Sequence, residues 1–155
     1  MADDFDLMRK TSTITIKEGR DKGTKFLITE WPAVQIEHWI MRAYFGLGEA
    51  GVELPPEVLQ LGAIGIAYAI ASKAIQMPSA LGIQLADELM ECVQRVEEKM
   101  TRSLVDNDIE DVSTRLLLKL EVLKLTFGFF DFAAFLSSAL PESGIDSSKQ
   151  STSAP

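Results

Sequence analysis

The chain has 155 residues, of which 46% are hydrophobic, and its formal net charge is −8. This length provides enough apolar surface for one hydrophobic core and too little for two comfortable ones. The acidic balance argues against nucleic acid as a partner, because phosphate binding needs clustered lysine and arginine side chains. The single cysteine, Cys92, excludes an internal disulfide framework and is typical of a reducing compartment.

The N-terminal part of the chain predicts a flexible end followed by a β-hairpin. Residues 1–11 are polar and charged and contain no apolar signal segment, so we expect a flexible N-terminus and a cytoplasmic protein. Thr13 to Ile16 alternates with period two, and Lys25 to Ile28 is a second strand-like run after the turn signal Lys22-Gly23. A hairpin alone is marginal in water, so other elements must cover it.

The first predicted helix runs from about Ala33 to Leu47. Thr29 stands where a helix N-cap would be, and Pro32 falls in the first turn, where its missing N–H costs nothing. Apolar residues recur at helical spacing along one face, namely Ile36, Trp39, Ile40, Ala43, Tyr44 and Leu47. The glycines expected to break this helix are Gly46, Gly48 and Gly51.

The middle of the chain predicts two more helices. One begins at Pro56 or Glu57 and is apolar around most of its circumference, which is typical of a buried central helix. Its apolar run, residues 58–71, is shorter than the ~18–20 residues of a membrane span, so we expect no membrane segment. Small residues at spacing four favour tight packing within the chain over a dimer seam: Ala63, Ala67 and Ala71. Pro78 ends this helix, and Ser79 can cap the next.

Residues 91–105 allow two interpretations. Val93, Val96 and Met100 continue a helical spacing, whereas the same stretch can form two strands around a turn at residues 97–99. The residues by themselves leave both interpretations open.

The last predicted helix runs from about Ile109 towards Phe127 or beyond, and Asp106 and Asp108 are competent N-caps for it. One apolar face holds Ile109, Val112, Leu116, Leu120, Leu123 and Phe127, and a second holds Leu118, Val122, Leu125 and Phe129. Residues 141–155 form a Ser-rich tail that we expect to be disordered, which leaves residues 12–140 as one domain. The predicted fold is α+β and mainly helical, with a small antiparallel sheet that includes the N-terminal hairpin.

The sequence contains no recognisable catalytic, cofactor or metal site. His38 is the only histidine, and Cys92 has no histidine within sequence reach, so neither is a good candidate for acid–base or nucleophilic catalysis. These two side chains are too few to bind zinc. The acidic run at residues 106–111 lacks the glycine-centred loop of a calcium site and is better explained as helix capping. We therefore expect no enzyme.

The apolar surface of the last helices is larger than a chain of this size readily covers. Either the other helices cover it, or it forms a groove that receives an amphipathic helix from a partner. For the second case the predicted partner-binding face consists of Leu118, Val122, Leu125, Phe129 and Phe132.

Two stretches of the chain resemble the tail assembly chaperones of tailed bacteriophages. The first contains Arg20-Asp21-Lys22-Gly23, Phe26-Leu27-Ile28-Thr29-Glu30, Glu37-His38-Trp39 and Arg42-Ala43. The second contains Leu104 to Val112, followed by Thr114-Arg115-Leu116. The resemblance spans residues 13–128, and its motifs are of a structural and not a catalytic kind.

This resemblance implies a strand pair within residues 91–105 and a protein that coats the tape measure protein of a siphophage-like tail. The tail tube protein would then assemble around that client. It further implies a location in the host cytoplasm and absence from the mature virion. Self-association is also expected, and neither nucleic acid nor membrane is an expected partner. The alternative is a structural virion component, such as a head–tail connector or a tail-terminator-like ring subunit.

Overall fold

The computed structural model of the protein describes residues 9–60 and 62–127. Its centre is a four-stranded antiparallel sheet in the order β1-β2-β3-β4. The strands are β1 (Thr11–Thr15), β2 (Lys25–Thr29), β3 (Val93–Glu97) and β4 (Met100–Ser103). The predicted α+β class, the N-terminal hairpin and the strand pair within residues 91–105 are confirmed.

The sheet begins earlier than the sequence predicted. β1 starts at Thr11, and the Glu30 N–H donates to the Lys10 carbonyl at 2.9 Å. Both Lys10 and Thr11 were assigned to the flexible N-terminus, and backbone pairing with the end of β2 is the physical reason for the correction.

β2 is the most deeply buried strand, and its inward side chains lie at the centre of the main core. Phe26 and Ile28 are fully buried, and they pack with Ile16, Val93 and Leu118 in the main core. These alternate residues of β2 are buried on one face of the sheet, and this burial stabilises a hairpin that would be marginal by itself.

The helices are α1 (Ala33–Glu49), α2 (Glu57–Gln60), α3 (Gly62–Lys73), α4 (Ser79–Glu88) and α5 (Val112–Phe127), with short 3₁₀ turns at Ala74–Gln76, Leu89–Cys92 and Asp106–Asp108. Among the described helices, none is long and apolar enough to cross a membrane.

The start of α1 differs from the prediction. Thr29 does not cap the helix, because it is paired with Thr11 at the end of β2. Pro32 occupies the cap position instead, and its carbonyl accepts from the Gln35 and Ile36 N–H groups at 2.9 and 3.1 Å. Likewise, Pro78 and not Ser79 occupies the cap position of α4.

Two of the glycines expected to break α1 lie inside it. The helix continues to Glu49, and Gly51, with a φ of +79°, follows its end. Gly46 is buried against α4, where a Cβ would lie 2.1 Å from Leu81 Cδ2. Close approach of α1 and α4 is therefore the reason for glycine at this position. This contact closes a second apolar cluster around Ala43 and Leu47.

Alanine substitutions at the two helical glycines should change stability in opposite directions. Gly46→Ala should lower the free energy of unfolding by about 1–2 kcal/mol, because the new methyl group overlaps Leu81. Gly48→Ala should raise it by about 0.5 kcal/mol, because nothing lies within 4 Å of the added Cβ and alanine favours the helix. Urea unfolding of both variants measures the difference, and equal effects would contradict the close α1–α4 contact.

The helix predicted to begin at Pro56 or Glu57 is two helices, α2 and α3, because the positive φ of Gly62 interrupts it. α2 begins at Glu57, and α3 starts at Gly62, which has a φ of +68°. Ala69 and Ile70 are buried, and α3 packs against α1. The side chains of Ala63 and Ala67, on which the predicted small-residue row depends, lie outside the described part of the structure.

The last helix begins at Val112 and not at Ile109 as predicted. Asp108 does not cap α5, because its side chain is buried among arginines of the sheet. Residues 106–108 instead form a 3₁₀ turn that leads the chain from β4 to the helix. Residues 128–155, including the predicted tail, lie outside the described residues.

Candidate functional site

The two stretches that carry the family resemblance meet in space. We call Arg20, Asp21, Glu110 and Asp111 the turn–helix clamp, because they join the β1–β2 turn to the start of α5. Asp21 accepts from the Glu110 and Asp111 N–H groups at 2.8 and 2.9 Å. In return, the Arg20 N–H and Nε donate to the Asp111 carboxylate at 2.8 and 2.7 Å.

Hydrogen bonding controls the charge state of the clamp. Burial by itself would raise the pKa of Asp21, but N–H donation by Glu110 and Asp111 outweighs it and holds that pKa below its ordinary value. The side-chain hydrogen bond from Arg20 lowers the pKa of Asp111. Both carboxylates are therefore ionised at neutral pH and already engaged by donors, as befits a structural contact.

Gly19 makes this clamp possible. Its φ is +81°, and a Cβ there would lie 2.4 Å from Asp111 Oδ2. The positive φ favours glycine here, and any larger residue would also have to displace the Asp111 carboxylate.

A second polar group, the arginine cluster, consists of Arg95, Glu97, Arg102 and Asp108. Arg102 donates to both Asp108 oxygens, at 2.7 and 2.8 Å, and Arg95 adds a bond of 3.1 Å. The Val105 N–H completes the set at 2.7 Å. These bonds, led by those from Arg102, hold the pKa of Asp108 far below its ordinary value despite burial. The cluster ties β3 and β4 to the turn before α5.

The predicted partner-binding face is not an open surface at its centre. Leu118 is fully buried, Val122 is 1% exposed, and both pack in the main core against the sheet. Leu125 is partly buried against the same core, while Phe129 and Phe132 lie outside the described residues. We correct the predicted face at Leu118 and Val122, because α5 uses this side to cover the sheet.

The exposed apolar side chains of α5 lie outside the face that covers the sheet. We call Val112, Leu116 and Leu117 the α5 strip; their exposed fractions are 73%, 56% and 39%. The sequence showed that α5 has two apolar faces, but not which of them the sheet covers.

A further exposed surface lies on α1 and was missed by the sequence analysis. We call Val34, Met41 and Phe45 the α1 stripe; their exposed fractions are 63%, 41% and 56%. Their spacing of seven and four residues places them on one side of the helix, with exposed His38 between them. Trp39, Ala43 and Leu47 pack inward on the opposite side. The same spacing is present in the sequence, but only the longer apolar series that includes Trp39, Ala43 and Leu47 was recognised there.

The residues considered for catalysis have ordinary structural positions. His38 is exposed, and Cys92 is buried, where desolvation raises the pKa of its thiol to about 12. A thiol with that pKa is almost entirely protonated at neutral pH and is a poor nucleophile. Within residues 9–60 and 62–127, no group of three or more potential ligand side chains could hold a metal ion.

A cavity of about 760 Å³ lies where the start of α1 faces β3 and α5. Acidic and basic side chains line it together, among them Glu30, Asp87 and Arg115. Asp87 faces Arg115 at 3.5 Å and Lys119 at 3.4 Å, and Glu30 accepts from the Lys10 N–H. Its charges are partly neutralised within the chain, and we assign no reaction to it.

Comparisons of the chain with protein-family models, with curated proteins and with solved structures found no match.

Proposed function

We propose that this protein is a tail assembly chaperone of a tailed bacteriophage and that its α1 stripe binds the tape measure protein. The proposal is supported by the resemblance in two stretches of the chain and by the apolar side chains that α1 leaves exposed. In this function the chaperone acts in the host cytoplasm, shields its helical client until the tail tube protein assembles, and is absent from the mature virion.

The α1 stripe is the observation that carries the proposal. An isolated exposed apolar residue is common, but an aligned series on one helix is the surface that receives an amphipathic partner helix. α1 is held firmly from its other side, where Trp39 Nε1 donates to the Leu85 carbonyl at 3.0 Å and Arg42 pairs with Glu88. A rigid helix loses little conformational entropy when a client packs against it.

The positions of the resemblance motifs agree with a binding protein. The Arg20-Asp21 turn and the residues around Asp111 build the turn–helix clamp, so their role is to position α5 on the sheet. The formal net charge of −8 would keep a complex with an apolar client soluble through repulsion between complexes.

Co-expression of the protein with the tape measure protein tests the proposal. We expect the wild-type chain to raise the soluble fraction of the client and to co-elute with it in size exclusion with light scattering. Met41→Glu and Phe45→Glu should each weaken the complex about tenfold or more, since each buries a charge in the interface. Gln35→Glu, an exposed position on α1 outside the stripe, is the matched control and should bind as wild type.

Two outcomes would overturn this assignment. A client that stays insoluble in the presence of the wild-type protein contradicts the chaperone function. Stoichiometric protein in purified, finished particles favours the structural virion component instead, because a chaperone leaves before the particle is complete.

A further inference from the structure

The open edge of β1 is a surface that the proposed function does not use. Within the described ranges, β1 is an outer strand of the sheet and pairs only with β2. Its sequence, Thr11–Thr15, contains no charged residue and no proline, the two features with which proteins commonly block an exposed edge. The edge is therefore competent to pair with another strand.

The β1–β2 register shows which backbone groups are available. Ile16 donates to Thr24 and Lys10 accepts from Glu30, so the even-numbered residues of this segment are bonded to β2. Antiparallel pairing alternates along a strand, and the N–H and C=O groups of Thr11, Thr13 and Thr15 consequently point away from the sheet.

A groove lined by both apolar and polar side chains lies beside this edge. This groove of about 630 Å³ runs between β1 and α5 and is lined by Ile14 and Ile16 on one side and Thr114 and Leu117 on the other. Leu117 is also part of the α5 strip, which leads from the groove to exposed Leu116 and Val112. A partner that extends the sheet at β1 would lie beside this groove and next to Leu117.

We propose that the occupant of the β1 edge is a second copy of this chain, paired antiparallel through β1 about a two-fold axis at Ile14. This pairing extends the sheet across both copies and places the two α5 helices side by side on the same layer. The inference stands independently of the chaperone function.

The composition of the segment argues for self-pairing. With Ile14 opposite the partner's Ile14, the outward groups of Thr13 face those of the partner's Thr15, and threonine pairs are favourable across strands. The same register sets the partly buried Ile14 of the two copies side by side on the face of the sheet that carries α5. A two-fold axis repeats each of these contacts, as an isologous interface requires.

Light scattering of the full chain during size exclusion provides the test. We expect the wild type to elute at twice the chain mass of 17.1 kDa. Thr13→Pro should halve that mass, because proline removes an outward N–H and leaves the bonds to β2 intact. Thr13→Ala keeps the N–H and should remain dimeric. A monomeric wild type, or a folded Thr13→Pro variant that keeps the dimer mass, overturns the proposal.

Cysteine cross-linking tests the register without depending on the proline variant. Ile14→Cys should form a disulfide-linked dimer on oxidation, because residues directly opposite at a non-hydrogen-bonded position have Cα atoms about 4.5 Å apart. Ser12→Cys is the matched control, since it lies away from the axis and should stay monomeric on a non-reducing gel. Failure of Ile14→Cys to cross-link, or equal cross-linking of both variants, contradicts the two-fold pairing.

Discussion

Leu118→Asp should abolish folding, whereas Leu116→Asp should leave the fold intact. Both changes place a carboxylate on α5, but Leu118 is fully buried in the main core and Leu116 is 56% exposed. Loss of a buried leucine alone costs about 2–5 kcal/mol, and an unpaired buried charge costs several more. Their sum is comparable with the whole stability of a domain, about 5–15 kcal/mol.

Far-ultraviolet circular dichroism and urea unfolding of the two variants measure this difference. The exposed substitution should change the free energy of unfolding by no more than about 0.5 kcal/mol in the monomer. A folded Leu118→Asp protein would show that α5 does not cover the sheet with this face, and it would restore the partner-binding face predicted from the sequence.

Asp108→Ala should lower the free energy of unfolding by about 2–3 kcal/mol at pH 7. The substitution removes the acceptor for Arg102, Arg95 and the Val105 N–H, and it leaves charged donors in the arginine cluster without their partner. The side chains of Arg95 and Arg102 are each 32% exposed, so water recovers part of the loss and the expected cost stays below that of a fully buried pair. The melting temperature should fall by about 4–12 °C.

Asp106→Ala is the matched control, because Asp106 is an exposed residue of the same 3₁₀ turn and should change stability little. If Asp108→Ala and Asp106→Ala lowered the free energy of unfolding equally, the turn and not the buried carboxylate would determine the effect.

The effect of Asp108 should depend on pH with a defined sign. Hydrogen bonding from Arg102 lowers the pKa of Asp108 in the folded chain, so folding favours its ionised form. This contribution is fully present above the ordinary carboxyl pKa of about 4, and it is lost as the pH falls below that value towards the folded pKa. The stability difference between wild type and Asp108→Ala should therefore be constant from pH 6 to 8 and narrow in acid. A difference that widens in acid would contradict the assignment.

Local patterns were sufficient for most of the secondary structure. Period-two alternation identified β1, and the turn signal before a strand-like run identified β2. Prolines at residues 32 and 78 marked the starts of α1 and α4 to within a few residues. The residues allowed either a helix or two strands where β3 and β4 lie. Pairing of β3 with β2 favours the strands, because it satisfies the backbone groups of Val93 to Val96.

Side-chain roles that depend on distant partners were predicted less well. Asp108 was expected to cap a helix, a function that needs only neighbours along the chain. In the structure its carboxylate accepts hydrogen bonds from the arginines of β3 and β4. Asp21 likewise accepts from the Asp111 N–H, which is distant in the sequence. Gly46 was likewise interpreted as a helix breaker, whereas its role is to admit Leu81 of another helix.

The amino-acid sequence was sufficient to predict an α+β fold, an acidic protein and more apolar helix surface than packing on one face requires. Propensity, periodicity and turn chemistry act over a few neighbouring residues and can be recognised without the fold. Which apolar faces are covered became clear only from the packing of the helices on the sheet. The sheet selects the Leu118 and Val122 side of α5 and leaves the α5 strip, the α1 stripe and the β1 edge exposed. Burial depends on the geometry of all the elements together, and periodicity along one helix carries no information about that geometry.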